Sequence, residues 1–127
     1  MAVIGVDLGG TKVAAALFDR SGNIEAKVVK LLDGAEGEKV AGLVNEVILS
    51  LMAENPAQKI EAIGVCIPGI VYSKKDTVWA PNIPGWDNFP LKARIEAAVN
   101  NPGIIISIES DRTCYVLGEV WKGGAKG

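Results

Sequence analysis

Histidine is absent from this chain, and with it go the Ser-His-Asp and Cys-His catalytic arrangements and any H-E-x-x-H metal helix. Cysteine is scarce: Cys66 and Cys114 stand far apart with no Cys-x-x-Cys pair, which argues against a zinc knuckle or a redox dithiol and for two reduced core thiols. There is no charge excess of either sign. A net charge of −2 with 22% charged residues lacks the basic surplus that phosphate-backbone binding demands, so no nucleic-acid partner is expected. Apolar runs are short or broken by charge, and the chain opens on a strand-like segment without a basic, signal-like leader. No membrane partner and a cytoplasmic address are the expectation. Internal repeats and low-complexity tracts are lacking too, and 127 residues with 49% hydrophobic content make one domain with a single core.

What is present begins with Asp7-Leu8-Gly9-Gly10-Thr11-Lys12, set between strand-like Ala2 to Val6 and Val13 to Phe18. Two adjacent glycines allow a tight turn whose N–H groups converge on an anion with no Cβ in the way. Thr11 and Lys12 add a hydroxyl and a point charge for phosphate oxygens, and Asp7 is placed to hold a hydrated Mg²⁺. The alternative is a plain hairpin closure with Asp7 as a solvated turn residue. A P-loop is not the reading, because Thr11 stands where that motif needs lysine and a strand follows in place of a helix. No G-x-G-x-x-G fingerprint occurs.

Asp19 to Asn23 carries turn residues, and Ile24 to Leu31 continues as a third strand. From Glu38 to Glu54, Val40, Leu43, Val44, Val47, Ile48 and Leu51 recur at helical spacing, ended by Asn55-Pro56. Ile60 to Ile67 reads as a central parallel strand ending at Pro68-Gly69. Val71 to Phe89 reads as a long irregular loop, of the kind that carries function. A helix is expected from Pro90 through Val99 with Asn88 or Asp87 as cap, then a strand over Ile104 to Ile108 and a last helix from Asp111 to Trp121 ended by Gly123-Gly124. Three antiparallel strands followed by two right-handed crossovers give a mixed five-stranded α/β sheet with helices on both faces. In such a sheet, sites collect beyond the carboxyl ends of the parallel strands, which here bring Asp7, Pro68-Gly69 and Ser110-Asp111 to one cleft.

Four ordered motifs carry a family resemblance: Gly5 to Lys12, Gly64 to Val71, Ala80-Pro81-Asn82-Ile83-Pro84-Gly85-Trp86 before Pro90-Leu91, and Glu109-Ser110-Asp111 through Gly118-Glu119 to Gly127. Nearly end to end, the chain resembles the amino-terminal half of the ROK family (repressors, uncharacterised proteins and sugar kinases), with the ribonuclease-H-like fold of the actin-like ATPases. The resemblance implies an ATP-dependent, glucokinase-like kinase acting on a hexose or amino-hexose. Asp111 is then the general base, Asp7 with Gly9, Gly10, Thr11 and Lys12 serves the phosphates and Mg²⁺, and Gly69, Asn82 and Ser110 contact the sugar. Phosphoryl transfer asks mainly for such positioning and charge stabilisation. Read without the family, Asp111 is equally a cap for the last helix, Gly69 a left-handed turn, Asn82 a residue bonding its own loop, and Trp86 a packing anchor.

The family pattern Asn-Asp-Ala-Asn reads Ser110-Asp111-Arg112-Thr113 here, keeping the aspartate and losing both asparagines. That change is the argument for the alternative of a non-catalytic sugar-binding member, and the retention of Asp7, Gly9-Gly10-Thr11-Lys12 and Asp111 argues against it. The other alternative, a transcription regulator of the family, carries a helix-turn-helix ahead of the first phosphate loop, where this sequence has Met1 to Gly5. The family's second domain, with its adenosine pocket and zinc motif, has no counterpart in these residues. The chain alone is therefore expected to be an inactive half, prone to homo-oligomerise through apolar surface that the other half covers.

Overall fold

The computed structural model describes residues 2–110. Two glycine-rich hairpins fold the first 31 residues into three antiparallel strands, β1 (Ala2–Leu8), β2 (Lys12–Phe18) and β3 (Ile24–Leu31). Asp19 closes the second hairpin: its Oδ1 accepts from the amides of Ser21 and Asn23, both at 2.9 Å. The helix α1 (Glu38–Glu54) then crosses the sheet and returns the chain to β4 (Ile60–Ile67), which lies parallel to β1. Val40, Val44, Val47, Ile48 and Leu51 form the buried stripe of α1. Its end is secured by Asn55, whose Nδ2 donates to the Leu51 carbonyl at 2.8 Å before Pro56.

After β4 the chain forms a feature the sequence did not reveal, a small hairpin of β5 (Ile70–Tyr72) and β6 (Thr77–Trp79) where an irregular loop was expected. Phe89 extends it by a bridge to Val78, with both backbone bonds at 2.9 Å. Helix α2 (Leu91–Val99) follows, and here the expected cap is corrected: Pro90 occupies the N-cap position and no side chain caps the helix. Asn88 instead sits at φ 55° and accepts from the Thr77 hydroxyl. Asn100, left-handed at φ 51° and ψ 45°, ends α2, and β7 (Ile105–Ser110) adds parallel to β4.

The sheet order is β3-β2-β1-β4-β7, the mixed five-stranded arrangement expected. One continuous core joins Ile4, Val6, Leu8, Val13, Leu17, Ile63, Val65, Ile67, Ile106 and Ile108 of the sheet to the inner stripes of both helices, so α1 and α2 share a face. No polar or charged side chain is buried among the described residues. The helix expected over Asp111 to Trp121 lies outside them. Cys66 is disulfide-bonded, which corrects the expectation of a reduced thiol. Cys114 lies outside the described residues.

Candidate functional site at the carboxyl edge of the sheet

β1, β4 and β7 run in the same direction and end at the same edge, because Asp7 pairs with Cys66 and Cys66 with Glu109. These three residues form one cross-strand row. Their parity is opposite to that of Val6, Val65 and Ile108, so the row lies on the face away from α1 and α2. Asp7 is exposed. Lys12, two positions from Ala14 on β2 and so in phase with Asp7, presents its ammonium on that same face.

Between them stands the glycine turn. The Gly9 amide donates to the Lys12 carbonyl at 2.9 Å, which closes the hairpin. The amides of Gly10 and Thr11 have no hydrogen-bond partner among the described residues, and both residues are exposed. Hairpin closure and anion cradle are thus compatible readings of one turn: closing it leaves two N–H groups free at a strand end. A carboxylate beside two open amides and an ammonium is a set that would accept a hydrated Mg²⁺ at Asp7 and an anion at the amides, since that ion keeps most of its waters and takes one or two carboxylates. No cluster of three or more metal-ligating side chains occurs among the described residues.

Across the edge lies the loop from Ala80 to Phe89. It is wound on itself by bonds from the Ile83 amide to the Ala80 carbonyl, from Trp86 to Ile83 and from Ala80 to Trp86, at 3.0 to 3.1 Å. Trp86, 1% exposed, stacks on Phe89 with ring centroids 4.7 Å apart, and is the packing anchor that the loop needs. This coil lifts exposed Asn82 over the glycine turn: a Cβ placed on Gly10 would stand 3.8 Å from the Asn82 Cβ. The structure therefore brings the two motifs, seventy residues apart, into contact range.

Gly69 is close by for a different reason from the left-handed turn considered above. Its φ is not positive; a Cβ there would lie 1.9 Å from the Trp79 carbonyl oxygen and 2.9 Å from the Ala80 Cα. The chain after β4 passes so near the start of the Asn82 loop that only glycine fits. Ser110 closes β7 opposite Ile67, on the face that carries the helices, and thus on the other side of the sheet from the Asp7 row. Asp111 lies outside the described residues. Its neighbour Ser110 is held at the shared edge, and two inter-strand spacings, about 10 Å, separate β1 from β7.

Sequence reasoning passed over Glu109. The signal for it was available only jointly: a carboxylate at the penultimate position of a strand matters once that strand is known to be in register with Asp7. The edge is open rather than enclosed; the groove of 310 Å³ bounded by Met52, Pro56, Ile60 and Ile104 lies at the opposite end of β4.

Known proteins resemble this chain in sequence and in fold. The ROK family model matches residues 3–127. A glucokinase of Streptomyces coelicolor is 35% identical over 125 residues, 98% of this chain and 37% of the relative. The N-acetyl-D-glucosamine kinase of Citrobacter koseri is 29% identical over 92% of this chain and 37% of its own length. Among solved structures, a ROK family glucokinase from Streptomyces griseus in complex with glucose and AMPPNP superposes with a TM-score of 0.71, at 31% identity, over 87% of this chain and 33% of that one. The chain spans only about a third of the length of these relatives. With the five-stranded sheet, its ordered motifs and a family match over residues 3–127, the chain belongs to the ROK family, with the fold of the actin-like ATPases.

Proposed function

We propose that this chain is the amino-terminal part of an ATP-dependent sugar kinase that transfers the γ-phosphate to a hydroxyl of a hexose or amino-hexose. The observation that carries the reading is the approach of Asn82 to Gly10, near enough that an added Cβ on the glycine would touch it, at the edge where three parallel strands end. The names of the relatives, glucokinase and N-acetyl-D-glucosamine kinase, agree on sugar kinases and differ on the sugar.

In this reading the open amides of Gly10 and Thr11, the Thr11 hydroxyl and the Lys12 ammonium receive phosphate oxygens, with Gly9 shaping the turn. Asp7 holds Mg²⁺ through water, and the ion when bound neutralises charge on the phosphates. Asn82 orients the sugar, with Ser110 contributing from the helix side of the same edge and the Gly69 turn, packed on Trp79 and Ala80, lying beside it. Asp111, which follows Ser110 in sequence, accepts the proton of the attacking hydroxyl in this reading. The second domain would supply the adenosine pocket and the zinc site and would close the open edge against water, which the described residues do not do by themselves.

The test is to express the chain together with the sequence that continues it and to screen hexoses and amino-hexoses for ADP release. Asp111→Asn is expected to lower kcat by about 100-fold or more while sugar binding persists. Turnover of a sugar at the same rate by the variant would remove Asp111 from its role.

A further inference from the structure

Between the glycine turn and the Asn82 loop runs a segment to which no role has been given, the turn from Leu32 to Gly37 ahead of α1. Its first residue is tied to the phosphate side: the Leu32 amide donates to the Thr11 carbonyl at 2.9 Å, and the Leu32 side chain is 4% exposed. Its last residue is tied to the sugar side twice. The Gly37 amide donates to the Pro84 carbonyl at 2.8 Å, and the Gly37 carbonyl accepts from Trp86 Nε1 at 3.0 Å. Inside the segment the Ala35 amide donates to Leu32 at 2.9 Å.

The conformation is specified as well as the bonding. Gly37 lies at φ 51° and ψ −125°, a region closed to residues with a Cβ, and Gly85 lies at φ 87° directly against it, where a Cβ would come 3.2 Å from the Gly37 Cα. Two glycines with left-handed φ are thus packed back to back at the one point where the segment meets the loop. Hydrogen bonds join turn to segment and segment to loop, and the loop returns to within reach of the turn, where a Cβ added to Gly10 would stand 3.8 Å from the Asn82 Cβ.

We infer that the segment Leu32–Gly37 is a strut that sets the spacing of the phosphate and sugar subsites, and that Trp86, through its indole N–H on Gly37, is the positioning residue that locks it. The inference rests on the proposed kinase reading for its consequence in catalysis. A geometry that holds two reactants in line loses rate when either support shifts by a fraction of an ångström. Trp86 reaches neither turn nor sugar loop tip with its own polar atom, so its effect passes through Gly37 and Pro84.

Two measurements on the full-length protein test this. Trp86→Phe keeps an aromatic ring against Phe89, removes the donor and leaves a small cavity where the rest of the indole stood. In amide hydrogen exchange without ligand, the variant is expected to speed exchange at Leu32 and Gly37 together, by about fivefold, the factor that corresponds to one net hydrogen bond. Amides of β1 and β4 should keep their rates. Acceleration at Gly37 with Leu32 unchanged would overturn the strut. In steady-state kinetics the sugar KM is expected to rise about fivefold with the ATP KM within about twofold of the parent. A lowered melting temperature with an unmoved sugar KM would reduce Trp86 to a packing residue and overturn the assignment. Should Trp86→Phe not fold, Gly37→Ala breaks the same junction from the other side, with the same two outcomes expected. A parent protein that phosphorylates no hexose sinks the kinase reading alone, since the exchange measurement decides the strut without any substrate.

Discussion

Gly10 and Gly69 both carry no side chain, for opposite reasons. At Gly69 an added methyl would stand 1.9 Å from the Trp79 carbonyl oxygen, which is backbone and cannot turn aside. Gly69→Ala is therefore expected to cost about 1–3 kcal/mol in a urea titration. At Gly10 the nearest atom would be the Asn82 Cβ at 3.8 Å, an ordinary contact. Gly10→Ala is expected to keep the parent melting temperature and to raise the ATP KM of the complete enzyme by about tenfold or more, since the methyl occupies the space in front of the open amides. Asp19 supplies a prediction in pH. The Asn23 amide first, with the Ser21 amide and the Asn23 side chain, holds its carboxyl below the ordinary value. A carboxylate lowered on folding stabilises the native state above its unfolded value and loses that contribution as pH falls through the folded one. Asp19→Ala should lower the melting temperature at neutral pH, and the gap to the parent should shrink below about pH 4. A gap that persists unchanged into acid would show that the amide bonds do not depend on the charge.

Among the elements, α1 carries the fold and its contacts rank clearly. Ile48 is fully buried beneath the sheet. Ile48→Ala is expected to cost about 2–5 kcal/mol, read by denaturant titration. The ion pair from Arg94 Nε on α2 to Glu38 on α1, at 2.7 Å, is roughly half exposed on both sides, so Glu38→Gln should cost less than about 1 kcal/mol. Legibility followed length. β3, α1 and β4, of eight residues or more, have the bounds that the sequence indicated, whereas β1 continues to Leu8, β2 begins at Lys12 and β7 runs Ile105–Ser110 in place of Ile104 to Ile108. β5 and β6 have three residues each, too few to show alternation, and they form because Val71 and Val78 meet across a turn and pack toward β7. The cap of α2 was misread because Asn88 and Asp87 have the right chemistry for capping, whereas Thr77 on the neighbouring strand takes the Asn88 side chain.

At the scale of the whole molecule, the polar groups proposed to act lie along an open edge, and Ile24, Leu31 and Ile105 stand 60%, 67% and 71% exposed on the two outer strands. Exposed edges bearing apolar side chains invite association with other surfaces. The 127-residue chain by itself is expected to self-associate with rising concentration in sedimentation and to turn over no sugar with ATP. A monomer at high concentration would count against the first expectation, and ADP release that tracks added hexose against the second.

The sequence by itself determined the order of the five main-sheet strands and of α1 and α2, the family and the place of the glycine turn, because periodicity, punctuating residues and ordered motifs are local properties written along the chain. It could name Asp7, Asn82 and Ser110 as neighbours of a cleft, yet it could not say which face of the sheet each serves; strand register puts Asp7 in a row with Cys66 and Glu109 and turns Ser110 to the helix side. The disulfide at Cys66, the approach of Asn82 to Gly10 and the junction of Gly37 with Trp86 were decided only by tertiary structure. Each depends on distances between segments far apart in the chain, and those distances exist only once the parallel crossovers have closed.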